Sequence, residues 1–90
     1  MRDDKFEWDD DKAESNFRKH DVAFETAREA YYDPGSIDED DPDPDEDRFK
    51  RICVVQGRVY VIIYTERGDR IRIISARRAD RHEQRRYCNR

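Results

Sequence analysis

Tyr64-Thr65-Glu66-Arg67-Gly68-Asp69-Arg70-Ile71-Arg72-Ile73-Ile74-Ser75-Ala76-Arg77-Arg78 is the stretch whose reading decides the fold. An apolar strand, a tight turn and a second strand carry arginines at alternating positions, and the second strand runs into an arginine-rich C-terminus. Arginine is permanently charged and offers a planar fork that suits phosphate. A strand holds such forks at fixed spacing, so this segment reads as a phosphate-handling surface that needs no metal and no cofactor.

Outward from this hairpin, dense apolar blocks at Ile52 to Val55, Val59 to Tyr64 and Ile71 to Ile74 predict three consecutive strands. The first runs from Arg48 to Val55 and turns at Gln56-Gly57. The second runs from Val59 to Thr65, the third from Arg70 to Ala76, and Glu66 to Asp69 close the loop between them. A four-residue loop sets Thr65 opposite Arg70, Tyr64 opposite Ile71, Ile63 opposite Arg72 and Ile62 opposite Ile73. One face then carries Tyr60, Ile62, Tyr64, Ile71, Ile73 and Ser75, and should pack on helices through Phe17, Phe24 and Tyr31. The other carries Val61, Ile63, Thr65, Arg70, Arg72 and Ile74. Apolar at one end and basic at the other, it reads as a binding surface.

Upstream, Lys5-Phe6-Glu7-Trp8 alternates as a short strand would, with Trp8 a core residue. Asp9 to Asp11 supply an N-cap and favourable first-turn charge for a helix with Ala13 and Phe17 on its apolar side, broken at Asp21-Val22. Phe24, Ala27 and Tyr31, with Ala30 beside them, mark a second helix that stops at Asp33-Pro34-Gly35. Between Asp33 and Asp47 lie 9 acidic residues, no basic residue and all 3 prolines. The segment 33–47 is expected to be mostly a mobile acidic loop, with Ile37 the anchor of a short edge strand. Asp80 and Glu83 have capping-box spacing, so a last helix begins near Arg81. Ala79 and Tyr87 are its only apolar candidates, and weak docking is expected.

Ninety residues allow one domain, spanning 1–90, with a modest core. Charged residues make up 47% and hydrophobic ones 34%, a composition close to disorder, but the apolar residues are clustered and argue for a folded chain. Residues 1–47 hold 6 Lys/Arg and 19 Asp/Glu, whereas residues 48–90 hold 13 and 4. That polarity points to a basic functional face and an acidic segment that shields it, selects a partner by charge, or is plain solvated surface. Cys53 and Cys88, with His20 and His82, show no zinc-ligand spacing; Cys53 reads as core and Cys88 as a free thiol. Met1 to Lys5 lead into no apolar stretch, and no segment is long enough to cross a bilayer, so a cytoplasmic location without membrane contact is expected.

The chain resembles the BrnT toxins at both ends. Phe6-Glu7-Trp8-Asp9, Lys12, Asn16, Lys19-His20, Phe24-Glu25, Ala27 and Asp33-Pro34 resemble the N-terminal signature of that family. Tyr64-Thr65-Glu66-Arg67-Gly68, Arg72-Ile73-Ile74-Ser75-Ala76-Arg77 and Arg85-Arg86-Tyr87 resemble its C-terminal one. The resemblance implies the toxin half of a bacterial type II toxin–antitoxin pair, with a RelE-like α+β fold. In that fold two N-terminal helices pack on an antiparallel sheet of about four strands, with a short C-terminal helix. It also implies ribonuclease activity that blocks translation. The implied partner is a ribbon-helix-helix antitoxin of the BrnA kind, in a 2:2 complex that binds operator DNA through the antitoxin. Three positions depart from the pattern: Asp21 stands where relatives usually have glycine, and Ala23 where many have a capping serine. The acidic loop also lacks a histidine that many carry.

Metal-free RNA cleavage uses the ribose 2′-OH against its own 3′-phosphate and needs a base, an acid and cations for the pentavalent phosphate. The RNA substrate would meet Arg72 first, a phosphate stabiliser or else a solvated strand arginine. Arg77 could grip a flanking phosphate or pair with Glu66 or the acidic loop. Arg48 shares the sheet surface with Arg72 or partners Asp47. Glu66 is a candidate base, with a turn ion pair to Arg67 or Arg70 as the alternative. His20 supplies an imidazole that titrates near neutrality, or simply a favourable charge at a helix C-terminus. Tyr87 could stack on a base, donate a proton or anchor the last helix. Arg70, Arg78, Arg81, Arg85 and Arg86 add backbone attraction to RNA. A second reading is a catalytically inactive interaction module that only binds an antitoxin-like partner. A DNA-binding regulator is a third, but no helix offers a clear recognition face.

Overall fold

Asp9 adopts extended backbone and its carboxylate accepts the N–H groups of Asp11 and Lys12, which starts helix α1 (Asp10–His20) in a computed structural model describing residues 1–90. The helix stops at Asp21, which takes a left-handed φ of 57°. Asp21 therefore makes a left-handed turn of the kind glycine adopts most easily, a conformation its short polar side chain tolerates. Helix α2 (Phe24–Tyr31) starts at Ala23 without any side-chain cap and buries Phe24, Ala27 and Ala30 on one face.

Five strands form one sheet in the order β1-β5-β4-β3-β2: β1 (Phe6–Glu7), β2 (Ile37–Asp41), β3 (Arg48–Val55), β4 (Arg58–Arg67) and β5 (Arg70–Arg78). The sheet is mixed, because β1 runs parallel to β5 while the other pairs are antiparallel. The expected count of about four antiparallel strands is thus corrected to five, and a third of the acidic segment, Ile37–Asp41, is strand rather than loop. Asp and Glu are poor strand formers on their own. Here the neighbouring strand imposes the conformation, since Asp38 lies opposite Arg51, Glu39 opposite Lys50 and Asp41 opposite Arg48.

The β4–β5 hairpin also differs from expectation. Arg67 faces Arg70 across a two-residue turn at Gly68-Asp69, with Gly68 at φ 59°. Thr65 therefore pairs with Arg72 rather than Arg70, and Tyr64 with Ile73. The register then slips by one residue between Ile63 and Tyr64, so that Ile63 pairs with Ser75 and Ile62 with Ala76. This β-bulge puts Ala76, not Ser75, into the row facing the helices.

Under α1 and α2 that row joins Phe6, Trp8, Val22, Phe24, Ala27, Ala30 and Cys53 in a core of 13 residues. Phe17, expected there, is 49% exposed. The rotation of α1 is set instead by Asn16, whose side-chain amide is bonded to the backbone of Val22 and Ala76. One residue further along a helix points about 100° away. Helix α3 (Arg81–Cys88) covers the opposite face of the sheet, where Ile52, Val61, Ala79 and Tyr87 form a second, small core. Its capping box is present as expected, but the docking is firmer than its composition suggests. Tyr87 is buried and its hydroxyl donates to Asp33 Oδ2 at 2.5 Å. No helix is long and apolar enough to cross a membrane.

Candidate functional site

The bulge in β5 decides which arginines can act together. Five positions separate Arg72 and Arg77, and an unbroken strand would send them to opposite faces. The extra residue restores them to the same side: Arg72 pairs with Thr65 and Arg77 with Val61, both on the face that α3 partly covers. Bulges commonly re-aim side chains in this way. Three cross-strand rows result. One runs Glu7, Arg72, Thr65, Arg48, Asp41; the next Ser75, Ile63, Lys50, Glu39; the third Arg77, Val61, Ile52, Ile37.

Arg72, Arg77, Lys50 and Arg48 on this face are each held by a carboxylate. Arg72 Nη1 donates to Glu7 Oε2 at 2.8 Å, with both side chains mostly buried. Arg77 donates from Nη1 and Nη2 to the two oxygens of Glu83, 2.8 Å each, and Lys50 Nζ lies 2.7 Å from Glu83 Oε2. Glu83 is only 3% exposed and also accepts the Asp80 N–H at 2.9 Å. The Arg77 fork holds its carboxyl well below the usual carboxylate range, with help from Lys50 and against the effect of burial. Arg77 and Lys50 are pulled upward in return, chiefly by their hydrogen bonds to Glu83. Arg48 donates to Glu46 at 2.9 Å and sits 3.2 Å from Asp43, not beside Asp47.

The remaining candidates scatter. Glu66 pairs with Ile71, in the row of Tyr64 and Ile73, so it lies on the helix-facing side of the sheet, away from Arg72 and without an ion pair to Arg67 or Arg70. Arg78 belongs to that side too, 5.8 Å from the Tyr60 ring centre. His20 ends α1 and lines a groove against the outer edge of β5. Tyr87 is a buried anchor beneath α3 and is not presented to a substrate. Arg70 shares the Arg72 face but gives its Nε to the Asp3 carbonyl at 2.7 Å. Arg81 is exposed at the start of α3. Arg85 and Arg86 line a hollow of about 560 Å³ with Ile37, His82, Asn89 and Arg90, where Arg86 is 2.6 Å from Glu39.

Lys50, Glu83 and Glu7 were missed as site residues. Lys50 stands two positions after Arg48 on the same strand, so strand alternation alone placed it on the arginine face. Glu83 gave only a capping signal, and its second duty depends on how α3 folds back over β5. Arg72 and Arg77 line none of the five surface hollows, whereas Arg48 lines one of about 660 Å³ with Asp41, Asp43 and Glu46. No group of three or more His, Cys, Asp or Glu residues is placed to hold a metal ion. Residues 8–83 match the family model described as the ribonuclease toxin, BrnT, of type II toxin-antitoxin systems. No curated protein matches the chain.

Proposed function

The chain belongs to the BrnT family of ribonuclease toxins of type II toxin–antitoxin systems, and we propose that it cuts RNA without a metal ion on the face that carries Arg72, Arg77 and Lys50. In this reading the ribose 2′-OH attacks the adjacent phosphorus, the bond to the 5′-oxygen breaks with that oxygen taking a proton from water, and the strand ends in a 2′,3′-cyclic phosphate. The extra negative charge of the pentavalent phosphorus falls to the guanidinium groups and the lysine. Glu7 and Glu83 orient these cations before substrate arrives. Arg72 spends one N–H on Glu7 and keeps four for phosphate. With Glu66 on the opposite face, Glu7 takes the 2′-OH proton in this reading, supported by its Oε1, which carries no hydrogen bond within the protein.

What carries this reading is the register shift that sets Arg72 and Arg77 on one face with Lys50 in the row between them. Two N-terminal helices on one side of a largely antiparallel sheet support a RelE-like fold. The antitoxin, a ribbon-helix-helix protein in a 2:2 complex, would neutralise the toxin in the cytoplasm by covering the arginine face. Inducing the chain alone should arrest bacterial growth, and Arg72→Ala should lower RNA cleavage on the order of a hundredfold or more. Cleavage should persist in EDTA and leave cyclic phosphate ends. Harmless expression of the intact, folded chain with no cleavage overturns the enzyme. A second reading, an antitoxin-binding module without activity, is favoured by the ion pairing of Arg72, Arg77, Lys50 and Arg48 within the protein; a tight antitoxin complex that spares RNA would establish it.

A further inference from the structure

Arg72, Arg77, Lys50 and Arg48 are each matched by a carboxylate, but a second cationic region of the molecule is not. We propose that the groove between α1 and the outer edge of β5 is a second phosphate-binding site, which grips an RNA phosphodiester away from the bond being cut. Its substrate class rests on the ribonuclease reading, but its cations, Lys12, Lys19 and His20, are separate from those of the arginine face. Lys12, Ser15, Lys19 and His20 line it from α1 and Ser75 from β5, with Asn16 among them. Positions 12, 15, 16, 19 and 20 fall on one stripe of a helix, so α1 presents this set to the strand together. No aspartate or glutamate lines the groove, and Lys12, Lys19 and His20 make no ion pair.

The groove is also built in advance. Strand β1 ends at Glu7, which leaves the edge of β5 without a neighbour beyond Arg72. Asn16 takes over that role. Its amide donates to Ala76 O at 2.8 Å and Val22 O at 3.1 Å, and its carbonyl accepts the Ala76 N–H at 3.2 Å. The same carbonyl accepts the Ser75 hydroxyl at 3.3 Å, a contact made available by the bulge. The floor is therefore fixed while the lysines remain free to reach a ligand. The volume, about 210 Å³, is below the roughly 300–1,000 Å³ of small-molecule pockets and suits a hydrated phosphate. No Phe, Tyr or Trp lines it, and its lysines and serines offer contacts to the phosphate backbone. At the start of α1, the Asp9 carboxyl is lowered first by the Lys12 N–H and then by the Asp11 N–H, with smaller contributions from the charges of Lys12 and Arg72.

The test is binding of a fluorescein-labelled, mixed-sequence 2′-O-methyl RNA, which lacks the nucleophile and is not turned over. Lys12 and Lys19 are exposed helix positions, and Lys12→Gln with Lys19→Gln keeps helix propensity, so the urea midpoint should not move. The double variant should bind about 10- to 30-fold more weakly near 0.1 M salt, with the log–log salt slope reduced by about 1.4. With cleavable RNA, KM should rise while kcat stays unchanged. Unchanged affinity and slope, alongside lost binding in Arg72→Ala, would overturn the groove and leave the arginine face standing. A loss confined to the antitoxin complex would assign the groove to protein contact and overturn the proposal as well. Wild-type chain that binds no RNA removes the ribonuclease reading and the groove together.

Discussion

Under α1 and α2 the sheet is held by thirteen buried residues and a web of edge-on aromatic contacts, Phe6 with Tyr31 and Trp8 with Phe24 among them. Under α3 four buried residues suffice, and the rest of that face is a lattice of ion pairs. Burial is non-directional and scales with area, so the first face contributes stability through size and fit. Ion pairs contribute little net stability for their number, and less when exposed. What they contribute is position: a cation held in place by a carboxylate can exchange that partner for a phosphate. The difference assigns stability to one side of the sheet and recognition to the other.

The largest expected effect lies on the apolar side. Phe24 is completely buried and packs edge-on against Trp8 at 5.7 Å. Phe24→Ala should cost about 3–5 kcal/mol, a large share of a small domain's stability, read as a lowered urea midpoint at unchanged slope. A cost below about 1 kcal/mol would mean that the two faces do not divide their duties in this way.

On the charged side, Glu83→Gln should cost about 2–3 kcal/mol near neutral pH, because Arg77 and Lys50 lose their shared carboxylate. The folded-state value of Glu83 lies below its unfolded value near 4.5. Its contribution is therefore complete above that value and drains away as pH falls toward the folded one. Wild type should lose stability more steeply than Glu83→Gln between about pH 5 and pH 3. Parallel acid profiles would show that the cluster contributes no charge-dependent stability.

The same division explains what could be read from the chain. Phe24, Ala27 and Ala30 on one helix, and Tyr60, Ile62 and Tyr64 on one strand, announce themselves by period and end in the same core. Arg72 was legible as a face residue for the same reason. Strand β2 was legible as a short edge strand anchored at Ile37, but its run through Asp38 to Asp41 was not, since that conformation is borrowed from Arg48, Lys50 and Arg51 on the neighbouring strand. Nor was the pairing of sides between Arg72 and Arg77, because a bulge leaves no periodic trace and inverts every alternation argument beyond it. Phe17 obeyed the helical period, yet a single buried amide at Asn16 turned it to solvent.

The smallest expected effect tests whether α3 belongs to the apolar or the charged regime. Tyr87 packs with Ile52 and Val61, yet its hydroxyl ends on Asp33, whose carboxylate also accepts the N–H groups of Val54 and Gly35 at 2.9 Å each. Burial raises Tyr87 above the ordinary phenol range and Asp33 adds to that, so the hydroxyl remains a donor throughout the physiological range. Tyr87→Phe keeps the ring and deletes the bond. Asp33 retains its two backbone donors, so the loss should be about 1 kcal/mol. It should also be local: hydrogen exchange in α3 should quicken while β3, β4 and β5 keep their protection, since α3 meets the sheet through few apolar residues. If the whole sheet loses protection together, α3 is part of the main cooperative unit. The ion-pair face then unfolds only with the core, and the separation between the two faces fails.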